Sequence, residues 1–227
     1  MIILTRISES DKLEEYYRFR YRIYSESRLK GVFTNEEGLD KDVFDNRAYH
    51  YGWYVDGVLV GCVRFIEADD SATPIPMLNY MPCEVADAVR GYIAERRAQG
   101  QPMLEASRFC LAPEHRGLRT AREFVLAMVR TMQPLGYEHG LFDCDDAHAP
   151  FYRHCGFEPL AGAVRFGISN MHRTCTCLTY NYDHIARKQG WGKPARGHKR
   201  PCSVRRAAEY GRLRKVNRMI TVPGTQE

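Results

Sequence analysis

Glu105-Ala106-Ser107-Arg108-Phe109 brings a carboxylate, a hydroxyl, a guanidinium and an aromatic ring into one short run. Two charged stretches precede it. One is Arg20-Tyr21-Arg22-Ile23-Tyr24, followed by an acidic loop ending Asp42-Val43-Phe44-Asp45. The other is Gly61-Cys62-Val63-Arg64-Phe65, with Pro76-Met77-Leu78 after it. Carboxylates move protons, and guanidiniums hold carboxylates and phosphates. Arg116-Gly117-Leu118-Arg119-Thr120-Ala121-Arg122 lies between a strand and a long helix. Free N–H groups at a helix N-terminus form an anion site. Arg116, Arg119 and Arg122 oppose the helix dipole there, so a bound anion is the partner that suits them. His148 and His154 are six residues apart on a short helix and do not share a face, which disfavours a metal pair or a proton relay. Cys175 and Cys177 share a strand face, but no C-x2-C pair is matched by a second one, and no metal site is expected.

These residues need elements to hold them. A strand over 2–7 leads into Ser8-Glu9-Ser10-Asp11, rich in N-cap residues, and a helix over 11–27 carries Arg20 and Tyr24. Residues 49–54 and 58–66 alternate around Asp56-Gly57, the strongest short-range hairpin signal. A helix over 84–98 and a strand over 103–111 follow, so Glu105 and Arg108 are placed on a strand. Ala121, Phe124, Val125, Met128, Val129 and Met132 form an apolar helical stripe that Gly136 ends. A strand over 141–144, a helix over 147–155 stopped by Gly156, and strands over 157–166 and 174–182 complete the body. The order β-α-β-β-α-β-α-β-α-β-β predicts an α/β domain with one central mixed, twisted sheet flanked by helices, spanning 1–182.

Taken in order, Arg20/Tyr24, Asp42/Asp45, Gly61/Arg64 and Glu105/Ser107/Arg108/Phe109 match Arg-x3-aromatic, Asp-x2-Asp, Gly-x2-Arg and Glu-x-Ser-Arg-Phe. This resembles the acyl-homoserine-lactone synthases and the related N-acyl amino acid synthases, which share the N-acetyltransferase (GNAT) superfamily fold. Ala147–Phe157 resembles the superfamily's late helix ending Tyr-x3-Gly-Phe. Arg116–Ala121 sits where its pyrophosphate loop belongs, with Arg119 in place of the usual first glycine and Gly117 displaced. The resemblance covers about residues 1–180.

The resemblance implies that Glu105 is the base, acting through water, and that Tyr152 protonates the departing thiolate. Arg20, Asp42, Asp45 and Arg64 become an interlocking charge network beside the acceptor and acyl sites, with Tyr24, Ser107 and Phe109 around it. Three residues from Glu105, Arg108 faces away from it on a regular strand, and a bulge reverses that. Without a bulge, Arg108 meets the Asp42/Asp45 loop or the first helix. Homoserine-lactone synthases carry a Trp in a Leu-Gly-Trp context, where this chain has Ser27–Phe33, with Phe33 the substitute. That favours an amino-acid acceptor over S-adenosylmethionine. A charged rim of Arg116, Gly117, Arg119, Thr120 and Arg122 suits a phosphopantetheine thioester on an acyl carrier protein better than acyl-CoA. The expected reaction moves a fatty acyl group from acyl carrier protein to an amino acid's α-amine. Homoserine-lactone synthesis and acetyl-CoA-dependent N-acetylation are the alternatives, and no permanently bound cofactor is implied.

The chain has 227 residues, 44% hydrophobic and 27% charged, which excludes a disordered chain, a collagen-like repeat and a coiled coil. No apolar run approaches the ~20 residues of a membrane span, and no export signal is read. With its eight cysteines read as buried thiols, a cytoplasmic protein is expected. The net charge of +5 is uneven: 181–227 holds twelve Lys and Arg against three Asp and Glu, which leaves −4 on 1–180. A basic extension over 183–227, with a helix at 203–219, would draw an acidic carrier protein. Binding of nucleic acid by the tail is the alternative from another class, and no known DNA-binding module accompanies it.

Overall fold

The computed structural model describes residues 1–27, 30, 37–69, 74–168 and 173–191. Phe33 and the expected helix at 203–219 lie outside them. Among the described residues, eight strands form one sheet: β1 (Thr5–Ile7), β2 (Tyr49–Val55), β3 (Val58–Glu67), β4 (Met103–Leu111), β5 (His139–Asp145), β6 (Glu158–Pro159), β7 (Phe166–Ile168) and β8 (Arg173–Asn181). Their order is β1-β2-β3-β4-β5-β8-β6, with β7 also paired to β8. All neighbours are antiparallel except β4 and β5.

Among the described residues, five α-helices cover the sheet: α1 (Ser10–Ser25), α2 (Cys83–Ala98), α3 (Leu118–Met132), α4 (Ala149–Cys155) and α5 (Tyr182–Lys188). α1 and α2 pack on one face, through the clusters around Tyr16, Phe19 and Cys62 and around Val85, Val89 and Leu141. α3, α4 and α5 cover the other, where Phe124, Val125 and Val129 meet Val63, Phe65 and Leu104. The apolar stripe of α3 is its buried side. Asp56 and Gly57 both adopt positive φ, 49° and 78°, the primed turn that matches strand twist. Gly61 lets α3 approach: a Cβ there would lie 2.6 Å from the Phe124 ring.

The late region departs from expectation. In place of one strand over 157–166, two short strands flank a turn, and both pair with β8. Gly162 sits at positive φ in this turn, and the Leu160 and Ala163 groups bond to Cys177 instead of continuing a ladder. The expected boundary at 183 also lies later. Asn181 caps α5 through His184 N–H, Ile185 and Ala186 are buried, and Trp191 packs on Tyr182 and beneath Arg130. The first compact unit is Met1–Lys193. Among the described residues no helix is long and apolar enough to cross a membrane, and no cluster could hold a metal ion.

Candidate active site

The Asp-x2-Asp spacing has a local cause. Residues 43–47 form a 3-10 turn that Asp42 caps. The Asp42 carboxylate accepts from Phe44 N–H at 2.9 Å, and Asp45 accepts from Asp42 N–H at 2.8 Å, a reciprocal capping box. The box fixes both carboxylates where α1 and β3 deliver arginines. Arg20, fully buried, donates Nε to Asp40 and Nη1 to Asp45, both at 2.8 Å. Its guanidinium also lies 5.1 Å and 5.5 Å from the ring centres of Tyr16 and Tyr17. Arg64 donates Nη1 to Asp42 at 2.7 Å and Nε to the Ser107 hydroxyl at 3.1 Å. Arg64 Nη1 also stands 3.1 Å from Asp45. Burial alone would raise Asp45, but Arg20 and Arg64 overcome it and hold this carboxyl well below the usual range. Burial brings His50, beside Asp45, down to about 4, so that ring is neutral.

Arg108 completes the network. β3 and β4 shift register between Cys62/Cys110 and Arg64/Ser107, giving β4 one extra residue. Arg108 occupies the bulge at φ 54°, a left-handed conformation rare for a side-chain-bearing residue. Its side chain thereby comes to the face of Glu105 and Ser107, and it still meets the acidic loop. Nε is 2.9 Å from Asp40, Nη2 is 3.2 Å from Asp42, and Tyr24 lies 5.8 Å below. The same extra residue turns Phe109 to the opposite face, against Phe124 at 4.9 Å. Three guanidiniums thus meet three carboxylates. Asp40 belongs to this lattice, and only its place in the run of acids from Glu36 to Asp45 marked it in the sequence.

Glu105 lies at the end of the parallel pairing. β4 and β5 match only at Met103/His139, Leu104/Gly140 and Glu105/Leu141, and then separate. Glu105 is 1% exposed. Its Oε2 accepts from Met77 N–H at 3.5 Å. Burial pushes it up to about 8, against the pull of Arg64 and with repulsion from Asp143 adding to the rise. Asp143 and Tyr80 were not distinguished in the sequence: Asp143 sits in an ordinary apolar strand, and Tyr80 ends a loop turn. The turn at 76–79 brings Tyr80 to Asp143, with the hydroxyl donating to Oδ1 at 2.5 Å.

Tyr152 of α4 stands elsewhere. Its ring packs on Phe142 at 4.8 Å, on the sheet face opposite Glu105, and burial raises its hydroxyl well above the ordinary value. Around the start of α3, Gly117 is the N-cap, and Thr120 is half-buried. Arg116 Nε donates to Leu111 O at 3.1 Å. Arg119 is 94% exposed and within 3.5 Å of Glu123, and Arg122 bonds to Gln189. These residues form an exposed basic rim, separate from the buried network.

Residues 15–167 match the model of the N-acyl amino acid synthase FeeM family. The chain belongs to the FeeM family of N-acyl amino acid synthases. It is an N-acyltransferase, an acyl-transferring synthase. No curated relative matches the chain. Among solved structures it is similar to BjaI, a CoA-dependent acyl-homoserine lactone synthase bound to SAM and isopentyl-CoA. That match has 15% identity, 93% of this chain, 99% of that one and a TM-score of 0.60. FeeM itself, from uncultured soil microbes, is 14% identical over 82% of this chain and 93% of that one, with a TM-score of 0.55. A putative N-acetyltransferase from Lactobacillus plantarum is 14% identical over 80% and 98%, with a TM-score of 0.53. At these identities the likeness establishes the fold, the GNAT-like acyltransferase architecture that the FeeM-family motifs imply.

Proposed function

We propose that this FeeM-family chain moves a fatty acyl group from a carrier-protein thioester to the α-amine of an amino acid. The observation that carries this is Glu105, a buried carboxylate raised to about 8, placed where β4 and β5 part. A base with that value is matched to an amine near neutrality. The extended arm of the thioester fits between the separating strands, where it can pair with backbone groups that have no neighbouring strand.

Acylation then runs on this chain's groups. Glu105 takes the ammonium proton through water, and the neutral amine attacks the thioester carbon. N–H groups of β4 stabilise the developing oxyanion. The C–S bond breaks, and Tyr152, kept protonated by its surroundings, supplies the proton to sulfur from the far side of the gap. Arg64 is fully buried and its Nη2 has no hydrogen-bond partner among the described residues. An acceptor carboxylate would satisfy that donor. Arg20, Asp42, Asp45 and Arg108 hold Arg64 in place, the Ser107 hydroxyl accepts from it, and Tyr24 packs against Arg108.

Arg116, Gly117, Arg119, Thr120 and Arg122 form the donor rim, which suits the single phosphodiester of phosphopantetheine. The basic residues beyond Lys193 draw the acidic carrier. Lipid extracts of cells expressing the wild type should contain N-acyl amino acids by mass spectrometry, and extracts with Glu105→Ala should not. N-acyl lactones in their place would assign the acceptor to S-adenosylmethionine. Neither product, with folded protein present, would end this reading.

A further inference from the structure

Asp143 has no role in the chemistry above, yet it is placed to meet the nucleophile. β4 and β5 run parallel with Glu105 opposite Leu141, so Asp143 is two residues further along on the same face. Strand spacing and rise separate the two Cα positions by about 8 Å in a regular sheet, and these strands diverge beyond that point. One small cationic group fits between two carboxylates so spaced. Glu105 is 1% exposed, whereas Asp143 is only half-buried, so Asp143 is the carboxylate a substrate reaches first. The Tyr80 hydroxyl fixes its orientation through the 2.5 Å bond to Oδ1.

We propose that Asp143, oriented by Tyr80, receives the acceptor's ammonium group and holds it for deprotonation by Glu105. This rests on the N-acyl amino acid synthase reading and adds to it the seat of the amine. An α-amine is largely protonated at neutral pH, so the acceptor binds as a cation and must lose a proton before it attacks. The charges around this spot favour a cation. Arg64 and Arg108 face it from β3 and β4, and Arg173 from β8. All three are engaged, by Asp42, by Asp40 and by Asp145 respectively. The other groups facing it are Tyr80, Cys175 and Cys177, with Cys144 and Tyr152 from the other face. Burial raises every one of them, so they stay neutral. That leaves the two carboxylates, among the described residues, with no nearby cation that lacks a carboxylate partner of its own.

The step balances without another reactant. One ammonium proton passes to Glu105, the C–N bond forms as the C–S bond breaks, and a second nitrogen proton balances the one given to sulfur. Products are the amide and the thiol, and Glu105 returns its proton to solvent. An acceptor hydroxyl carries no charge for Asp143 to hold, so amines are selected over alcohols.

The test is steady-state kinetics on the full chain, varying the amino acid and an acyl thioester in turn, with Asp143→Asn, Asp143→Glu and Tyr80→Phe. Asp143→Asn should raise the acceptor KM about tenfold or more and leave the donor KM within about twofold. The low-pH limb of kcat/KM should move down by about one unit, because Glu105 ionises more readily without its neighbour's charge. Asp143→Glu should recover part of the acceptor affinity, and Tyr80→Phe should lose less than Asp143→Asn. An Asp143→Asn enzyme with the wild-type acceptor KM and pH profile overturns the assignment. Equal losses for donor and acceptor with no gain from Asp143→Glu overturn it too. A wild type that acylates no amine fails the functional reading itself, and the assignment falls with it.

Discussion

Glu105 keeps its proton in the folded chain up to about pH 8, against an ordinary value of 4.5. Between those values the folded state binds more protons than the unfolded one. The stability this group contributes is complete below 4.5 and is lost as pH rises through about 8. Glu105→Gln keeps the protonated shape at every pH. It should match the wild type in denaturant titrations at pH 4 and exceed it at pH 9 by on the order of 5 kcal/mol, while activity falls about 10²–10⁴-fold. A variant no more stable at pH 9 would show that Glu105 is not a buried acid. Asp45 has the opposite sign, since its depressed value gives stability that disappears as the solution is acidified. Arg20, Asp42, Asp45, Arg64, Ser107 and Arg108 were legible in the sequence through the motif run that resembles a known family, and the capping box and strand register explain two of its spacings. Asp143 and Tyr80 were not legible. Their partnership exists only once a loop turn crosses to the strand that follows α3, and no local pattern records that distance.

Among the elements, the β3–β4 pair and α3 depend on each other. Gly61 serves the Gly-x2-Arg motif by having no side chain, because Phe124 occupies that space. Gly61→Ala should cost about 1–3 kcal/mol by overpacking. Gly61→Ala with Phe124→Leu should recover a measurable part of the loss in a double-mutant cycle, and strict additivity would place the strain elsewhere. The apolar stripe made α3 readable, and Asp56-Gly57 did the same for the hairpin. The region after Gly156 was less so. Its pairing with β8 is broken by a turn at Gly162, and α5 follows β8 without an intervening loop, so the alternating pattern runs into a helix. The bulge at Arg108 also left no sequence mark, since positive φ at an arginine goes against local preference and is held by Asp40 and Asp42.

At the scale of the molecule, charge is unevenly spread along the sequence, with −4 on residues 1–180 and +9 on 181–227. Much of the acidity is consumed internally by Arg20, Arg64 and Arg108. The proposed carrier docking through the tail predicts that truncation after Lys193, beyond the packed Trp191, raises the KM for an acyl carrier protein. The KM for a short pantetheine thioester should stay the same, and equal changes for both donors would rule the docking out. The three-position match of β4 with β5 has a mechanical consequence as well. It is a short parallel seam joining a β1–β4 half to a β5–β8 half, and the proposed thioester arm would lie along the open part of that seam. The donor would then act as a temporary strand. A loaded enzyme would have that opening bridged, and each turnover would reopen it as the thiol departs.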